Sequence, residues 1–315
     1  MREREPPPVQ RFADRVLCHR TQGYMVCDST SPTGELPMFT RAIVSTDLGP
    51  TSEATISSAA ALGALGVRYA VLVYVMDLDR APSAADDEMF ARQISSLESA
   101  GIRVSVETPL GYAPHAIVDM AERHAAGLVV MGTRGQGLFH AGFSGSVSSD
   151  VIRLSPVPVL LTPYAGVTTA DEGTYARRGV LSSVLVPTDF SLAADRTFDL
   201  ICALAPAGIE RLSIVHVIQS TFEALRGGTE CTARDRLSAL ATRARDAGVP
   251  EVDTEVVVGD PTGVVAQLAA AGVHSMIALA PRCLDAIDQQ FGSVTNAVIQ
   301  ESTIPLLLTT ARRGT

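Results

Sequence analysis

No lysine and no tryptophan occur in the 315 residues, and aromatics amount to only 5%. Without lysine, the phosphate loop GxxxxGK[ST] is excluded outright. The arginines form no stripe that could track a phosphodiester backbone, and the net charge is −9. Nucleic acid is therefore not expected as a main partner. Arg123, Arg134 and Arg153 are weighed one at a time: most arginines are solvated, and only one set beside an anion site carries function. Cysteine is scarce, and Cys18, Cys27, Cys202, Cys231 and Cys283 are odd in number and scattered. They make neither a disulfide framework nor a CxxC metal pair. Cys202, inside an apolar helical run, reads as a small core residue. A reducing, cytoplasmic setting is expected. Long apolar runs are missing as well. The most apolar stretch, Ala59 to Met76, is broken by Gly63, Gly66 and Arg68, so it reads as helix end, turn and strand rather than a membrane span. No apolar run follows Met1 to Pro8, and a secretory leader is not expected.

What is present is 46% apolar and 19% charged, a globular profile long enough for about two domains. Residues 1–39 carry Pro, Ser, Thr and Gly with little periodicity and read as a loosely ordered extension. From Arg41 strands and helices alternate. The strands are Ala42–Val44, Ala70–Val75, Ile102–Val106, Leu128–Met131 and Val157–Leu161; the helices are Ser52–Leu65, Asp86–Ala100, Pro114–His124 and Ser146–Leu154. Such alternation requires a parallel, doubly wound sheet with crossover helices. A polar linker over residues 165–179 follows, and then the pattern restarts. Ile43 to Asp47 returns as Leu185 to Asp189, 142 residues later, and Val73 to Val75 as Val215 to Val217. Gly145-Ser146-Val147 returns as Gly292-Ser293-Val294, and Pro158 to Thr162 as Pro305 to Thr309, now 147 residues later. The chain is a duplication, with domains over residues 40–164 and 180–312 and a net insertion around the second helix of the second copy.

Three features of the first copy converge on the carboxyl edge of its sheet, where parallel folds place ligands. They are Asp47 ending the first strand, Met131-Gly132-Thr133-Arg134-Gly135-Gln136-Gly137 after the fourth, and Gly145-Ser146-Val147-Ser148 opening the next helix. Glycines let the backbone approach a ligand without a Cβ clash. The free N–H groups and dipole of a helix's first turn hold anions. Ser146 and Ser148 add hydroxyl donors, and Arg134 a charge-assisted contact. Any single glycine here would only make a turn, and Ser146 alone would only cap a helix. Taken together, between a strand and a helix, they point to phosphate, with Asp47 on the ribose or base side.

Gly132, two residues, Gly135, nine residues, then Gly145-Ser146 resembles the ATP-binding signature of the universal stress protein family. Thr46-Asp47 and Gly111 fit the same family, and the two repeats resemble its tandem-domain members. The resemblance implies two Rossmann-like domains of the HUP (adenine nucleotide alpha hydrolase-like) type, paired through their last strands as a pseudo-two-fold internal dimer. A further homodimer is left open. It implies ATP or a related adenine nucleotide, with Asp47 and Val75 on the adenine and ribose side. Met131 and Gly132 would line the nucleotide, and Gly135, Gly145, Ser146, Val147 and Ser148 would hold the phosphates. Mg2+ would bridge the phosphates as in ATP complexes generally, although no clustered protein ligands for it stand out. One departure is Ser45, where the family has Pro and the second copy keeps Pro187.

In the second copy the loop reads Leu279-Ala280-Pro281-Arg282-Cys283-Leu284-Asp285-Ala286-Ile287-Asp288. Ala280 and Cys283 replace the first two glycines, and a Cβ in a left-handed position costs roughly 1 kcal/mol or more. Asp285 and Asp288 add repulsion toward a phosphate. Asp189, Val217, Gly292, Ser293, Val294 and Thr295 remain, so this reads as a degraded site kept for its scaffold. Cys283, near a helix start, is a lone thiol. Turnover lacks obvious machinery: His140 is the loop's only histidine and no nearby carboxylate orients it. His115 and His124 read as structural or solvated, and His216, ending a strand, and His274, beginning one, as packing residues. The leading expectation is a nucleotide-dependent stress-response regulator with an unknown protein partner. A ligand-free interaction scaffold and a slow ATPase are the alternatives.

Overall fold

The structure is a computed structural model that describes residues 39–49, 52, 55–56, 59–76, 83–132, 147–162, 179–219, 228–281 and 291–309. The first half runs β1 (Arg41–Thr46), α1 (Ala59–Ala64), β2 (Tyr69–Tyr74), α2 (Ala84–Ser99), β3 (Arg103–Glu107), α3 (Ala113–Arg123), β4 (Leu128–Gly132), α4 (Val147–Leu154) and β5 (Val159–Thr162). The second half repeats this as β6 (Ser183–Pro187), α5 (Leu192–Leu204), β7 (Arg211–Ile218), α6 (Gly228–Asp246), β8 (Glu251–Val258), α7 (Pro261–Ala270), β9 (Met276–Leu279), α8 (Ser293–Glu301) and β10 (Leu306–Leu308). The expected elements are all found, most ends moved by one or two residues; the first helix, expected from Ser52, is bounded as α1 from Ala59, with Ser52, Thr55 and Ile56 also helical. Two details are corrected. His216 lies inside β7, which carries on to Ile218, and His274 precedes β9 instead of opening it. The extension before Phe39, the linker, and both glycine-loop regions past Gly132 and Pro281 lie outside the described residues.

All ten strands form one sheet, ordered β3-β2-β1-β4-β5-β10-β9-β6-β7-β8. Each half is parallel with the same internal order, and the halves meet where β5 and β10 run antiparallel, Leu160 opposite Leu307. The pairing of the last strands expected from the resemblance is thus present. The reason is local: Val159, Leu161, Leu306 and Leu307 are wholly buried, and such an edge would otherwise recruit another chain.

Alternation along each strand feeds two cores. Ala42 and Val44 of β1 face one of them, with Phe90 and Leu97 of α2, Phe198 and Ile201 of α5, and Leu237 and Leu240 of α6. Ile43 faces the other, with Ile117 and Met120 of α3, Val151 of α4, Val265 of α7 and Val298 of α8. Both cores are continuous across the seam. The central strands β4, β5, β9 and β10 read as uninterrupted apolar runs because helices cover both their faces. The edge strand β8 is polar and largely exposed. Helix starts follow from capping chemistry. Ser83 and Asp86 form a reciprocal capping box on α2, and Asp260 accepts the Gly263 N–H at 3.0 Å on α7. Helices α2 and α6 both stop at a left-handed glycine, Gly101 at φ +77° and Gly248 at φ +101°.

Candidate functional site

The end of β1 is built the same way twice. Thr46 Oγ1 accepts the Leu48 N–H at 3.0 Å, and Thr188 Oγ1 accepts the Phe190 N–H at 3.0 Å. Leu48 and Phe190 both take left-handed backbone, at φ +57° and +59°. A non-glycine residue pays this strain only where surroundings fix it, and here the threonine hydroxyl does so. The turn aims Asp47 away from the strand. Its Oδ1 accepts the Gly49 N–H at 2.9 Å and also contacts the Ser52 hydroxyl, which in turn accepts the Asp47 N–H at 2.9 Å. In the second half Asp189 is exposed, and its Oδ1 accepts the Ser191 N–H at 2.9 Å.

Strand β4 pairs with β1, Val44 opposite Val130, so Asp47 and Gly132 leave the sheet at the same edge. Met131 and Gly132 belong to β4 itself rather than to the loop after it. The Met131 side chain is buried, and its carbonyl accepts from the Thr162 hydroxyl at 3.3 Å. That hydroxyl also pairs with Thr55 at 2.7 Å; Thr197 and Thr309 repeat the pair at 2.6 Å in the second half. Val75 follows β2 at this edge and packs against the core. On α4, Val147 is exposed while Ser148 is buried. The structure therefore gathers Asp47, Val75, Met131, Gly132, Val147 and Ser148 at one sheet edge. Arg134, Gly135, Gly145 and Ser146, together with His140 and Cys283, lie outside the described residues. Among the described residues no group of three His, Cys, Asp or Glu side chains could hold a metal ion.

Sequence reasoning passed over three residues here. Gln93 of α2 accepts the Thr46 hydroxyl at 2.8 Å. Tyr112, which precedes α3, donates to Asp150 Oδ2 of α4 at 2.5 Å, and Arg153 pairs with Asp150 Oδ1. Nothing in the local pattern marks them, since each contact spans 38 or 47 residues or joins two polar residues of a short helix. The threonine pairs did leave a signal: Thr55 and Thr197 recur 142 residues apart, Thr162 and Thr309 147 apart.

The second half keeps this frame with a different rim. Ala280 is half-buried, and the Thr262 hydroxyl donates to Ser293 Oγ at the start of α8, 3.1 Å away. His216 Nδ1 contacts the Thr188 carbonyl at 2.8 Å, with its ring against Phe190. No helix of the described residues is long and apolar enough to cross a membrane.

Comparison with known proteins agrees with this architecture. A sequence model of the universal stress protein family matches residues 38–163 and again 181–310. A curated universal stress protein of Synechocystis sp. is 49% identical over 53 residues, which is 17% of this chain and 34% of that protein. The match thus spans about a third of the relative's length. Among solved structures, a universal stress protein from Archaeoglobus fulgidus DSM 4304 superposes with a TM-score of 0.62 at 22% identity, over 87% of this chain and 98% of that one. A similar superposition, TM-score 0.62 at 11% identity over 87% and 94%, relates it to a universal stress protein from Pseudomonas aeruginosa UCBPP-PA14. At these identities the likeness is one of fold.

Proposed function

Since the chain belongs to the universal stress protein family, we propose that it is a stress-response regulator that binds ATP in its first half. In this reading residues 40–164 form the nucleotide-binding unit, and residues 180–312 supply the surface a protein partner reads. The observation that supports it is the difference between the halves. The strand ends share one geometry, but only the first half has Gly132, Gly135 and Gly145-Ser146 bracketed by β4 and α4. The adenine and ribose would sit against Val75 and Asp47, and the phosphates on Gly135 and the opening turn of α4. Mg2+ would reach the phosphates through their own oxygens. The partly buried Val75 and the opening turn of an eight-residue helix suit an adenine nucleotide.

Mass spectrometry of the intact chain purified without added nucleotide is expected to show co-purifying adenine nucleotide, and calorimetry to show one site per chain. Gly135→Asp places a Cβ and a charge at the phosphates and is expected to weaken ATP binding at least tenfold. Wild-type affinity in that variant would refute the placement.

A further inference from the structure

Arg41, Arg68 and Arg103, exposed on the amino edge of the first-half sheet, have no carboxylate partner among the described residues. Arg41, Tyr69 and Arg103 stand level on β1, β2 and β3, so their side chains leave the same face of the sheet. The guanidinium carbons of Arg41 and Arg103 lie 5.8 and 5.2 Å from the centre of the Tyr69 ring, reaching it from the strands on either side. Arg103 Nη1 also donates to the Tyr69 hydroxyl at 3.2 Å. Arg41 Nη1 donates to the His124 carbonyl at 2.7 Å, at the end of α3, and Arg68 donates to the Gly63 and Val67 carbonyls at 3.3 Å. Neutral acceptors thus fix three cations without cancelling their charge. Glu98 and Glu122, exposed near the ends of α2 and α3, form no ion pair with them among the described residues. The matching row of the second half is neutralised. There Ser183, Arg211 and Glu251 stand level, and Arg211 Nε meets Glu251 at 3.3 Å and Asp253 at 3.1 Å. With 34 acidic residues to 25 basic ones in the chain, the first row is not unpaired for want of carboxylates.

We propose that the Arg41–Tyr69–Arg103 row, with Arg68 beside it, is an anion site that takes a short condensed phosphate chain. Guanidinium forks pair with phosphate oxygens two at a time. Strand spacing sets the Cα atoms of Arg41 and Arg103 about 10 Å apart, a span for a linear anion charged along its length rather than for one phosphate group. Arg41 and Arg103 already flank the Tyr69 ring, so a nucleobase has no face to stack on, and the row differs in this from a single-strand nucleic-acid platform. The row lies at the amino edge, away from Asp47 and Gly132 at the carboxyl edge, and the inference does not rest on the nucleotide reading.

Calorimetry of the full chain with sodium tripolyphosphate tests it, on the wild type and on Gly135→Asp, which is expected to leave this row untouched. Affinity should fall steeply as salt rises. Arg41→Gln and Arg103→Gln are each expected to weaken tripolyphosphate about tenfold, the size of one lost charge-assisted hydrogen bond. Arg103→Glu, which copies Glu251 of the second half, should abolish binding, and ATP affinity should be unchanged in all three. A wild type that binds tripolyphosphate no better than Arg103→Glu does would overturn the assignment. So would hexaglutamate bound as tightly as tripolyphosphate, because the row would then read charge and not phosphate. Binding lost in Gly135→Asp but kept in Arg103→Glu would move the phosphate chain to the nucleotide edge, sinking this inference and leaving the nucleotide reading in place. The urea midpoint of each variant is followed alongside; if an exchange at Arg41 or Arg103 unfolds the chain, a several-fold loss in Arg68→Gln decides the matter alone.

Discussion

Replacing Gln93 with leucine should make the protein more stable, even though it deletes a hydrogen bond seen in the structure. Gln93 is 1% exposed on the inner face of α2. Its Oε1 accepts the Thr46 hydroxyl at 2.8 Å, but its Nε2 is buried with no hydrogen-bond partner among the described residues. A buried donor left unpaired costs about 1–3 kcal/mol, and the neutral bond from Thr46 contributes about 1 kcal/mol net. Gln93→Leu removes both and strands the Thr46 hydroxyl proton, although that oxygen still accepts the Leu48 N–H, so the balance favours the variant by at most about 1 kcal/mol. The second half shows that the outcome is tolerated. Eight residues before the helix-ending glycine, where α2 has Gln93, α6 has Leu240, and Thr188 still accepts its turn N–H at 3.0 Å. The measurement is urea unfolding: the midpoint should rise at unchanged slope, and Tm should climb by about 3 °C for a unit of this size. The reciprocal change, Leu240→Gln, puts an unpaired amide into the second half and should cost about 2 kcal/mol. A Gln93→Leu midpoint below wild type would refute the reasoning, because it would mean the amide's bonds outweigh its desolvation.

Two further perturbations probe the seam and the acid side of the stability curve. Leu307, fully buried in β10 opposite Leu160, becomes an unpaired buried charge as Leu307→Glu; a loss of several kcal/mol is expected, read as a collapse of the urea midpoint, and a near-wild-type midpoint would mean the seam is open to water. His274, half-buried beside Ser183, Arg211 and Asp253, has its pKa held below the ordinary 6.5 by burial first and by Arg211 second. Its unfolded form therefore binds the proton more readily, and the stability it contributes is present above about pH 6.5 and lost as pH falls through the lower folded value. His274→Gln should flatten the drop in Tm between pH 7.5 and about pH 5; an unchanged drop would assign it to other groups.

The order of elements was legible because hydrophobic period and duplication speak together. Val44 and Val186 are core because each sits in an apolar triplet before Thr-Asp, and the repeat doubles the signal. Strand limits were less legible. Met131-Gly132 looks like a loop opening but pairs with β5 as far as Thr162, since cross-strand bonding rather than composition fixes a strand's end. The left-handed turn at Leu48 could not be foreseen, because neither leucine nor phenylalanine favours positive φ and the hydroxyl that holds the turn is a tertiary detail. The Tyr112–Asp150–Arg153 clamp was hidden for a similar reason: three ordinary polar residues acquire meaning only when α3 and α4 lie side by side. That Asp47, Val75, Gly132 and Val147 share one sheet edge was legible, because in a parallel sheet every strand end and the helix start that follows it lie at the carboxyl edge.

Which features the halves share, and which they do not, follows from joining two copies in one chain. A homodimer applies every substitution at both related positions, whereas a fused pair can change one side alone. What has stayed equal is the scaffolding of strand ends: the Thr46 and Thr188 turns, the Thr55–Thr162 and Thr197–Thr309 hydroxyl pairs, and Ser155 and Ser302, which each bind the carbonyl two residues on. What has diverged lies at the rims. The amino edge of the first half carries exposed Arg41, Arg68 and Arg103, where the second half has Ser183, Glu210 and Glu251. Because the seam is antiparallel, that edge of β7 and β8, where Arg211 pairs with Glu251 at 3.3 Å, lies on the same side of the sheet as Asp47 and Gly132. In the proposed division of labour, loss of the second glycine series would leave that half to shape a contact surface, while the shared turns at Thr46 and Thr188 keep both halves in one geometry.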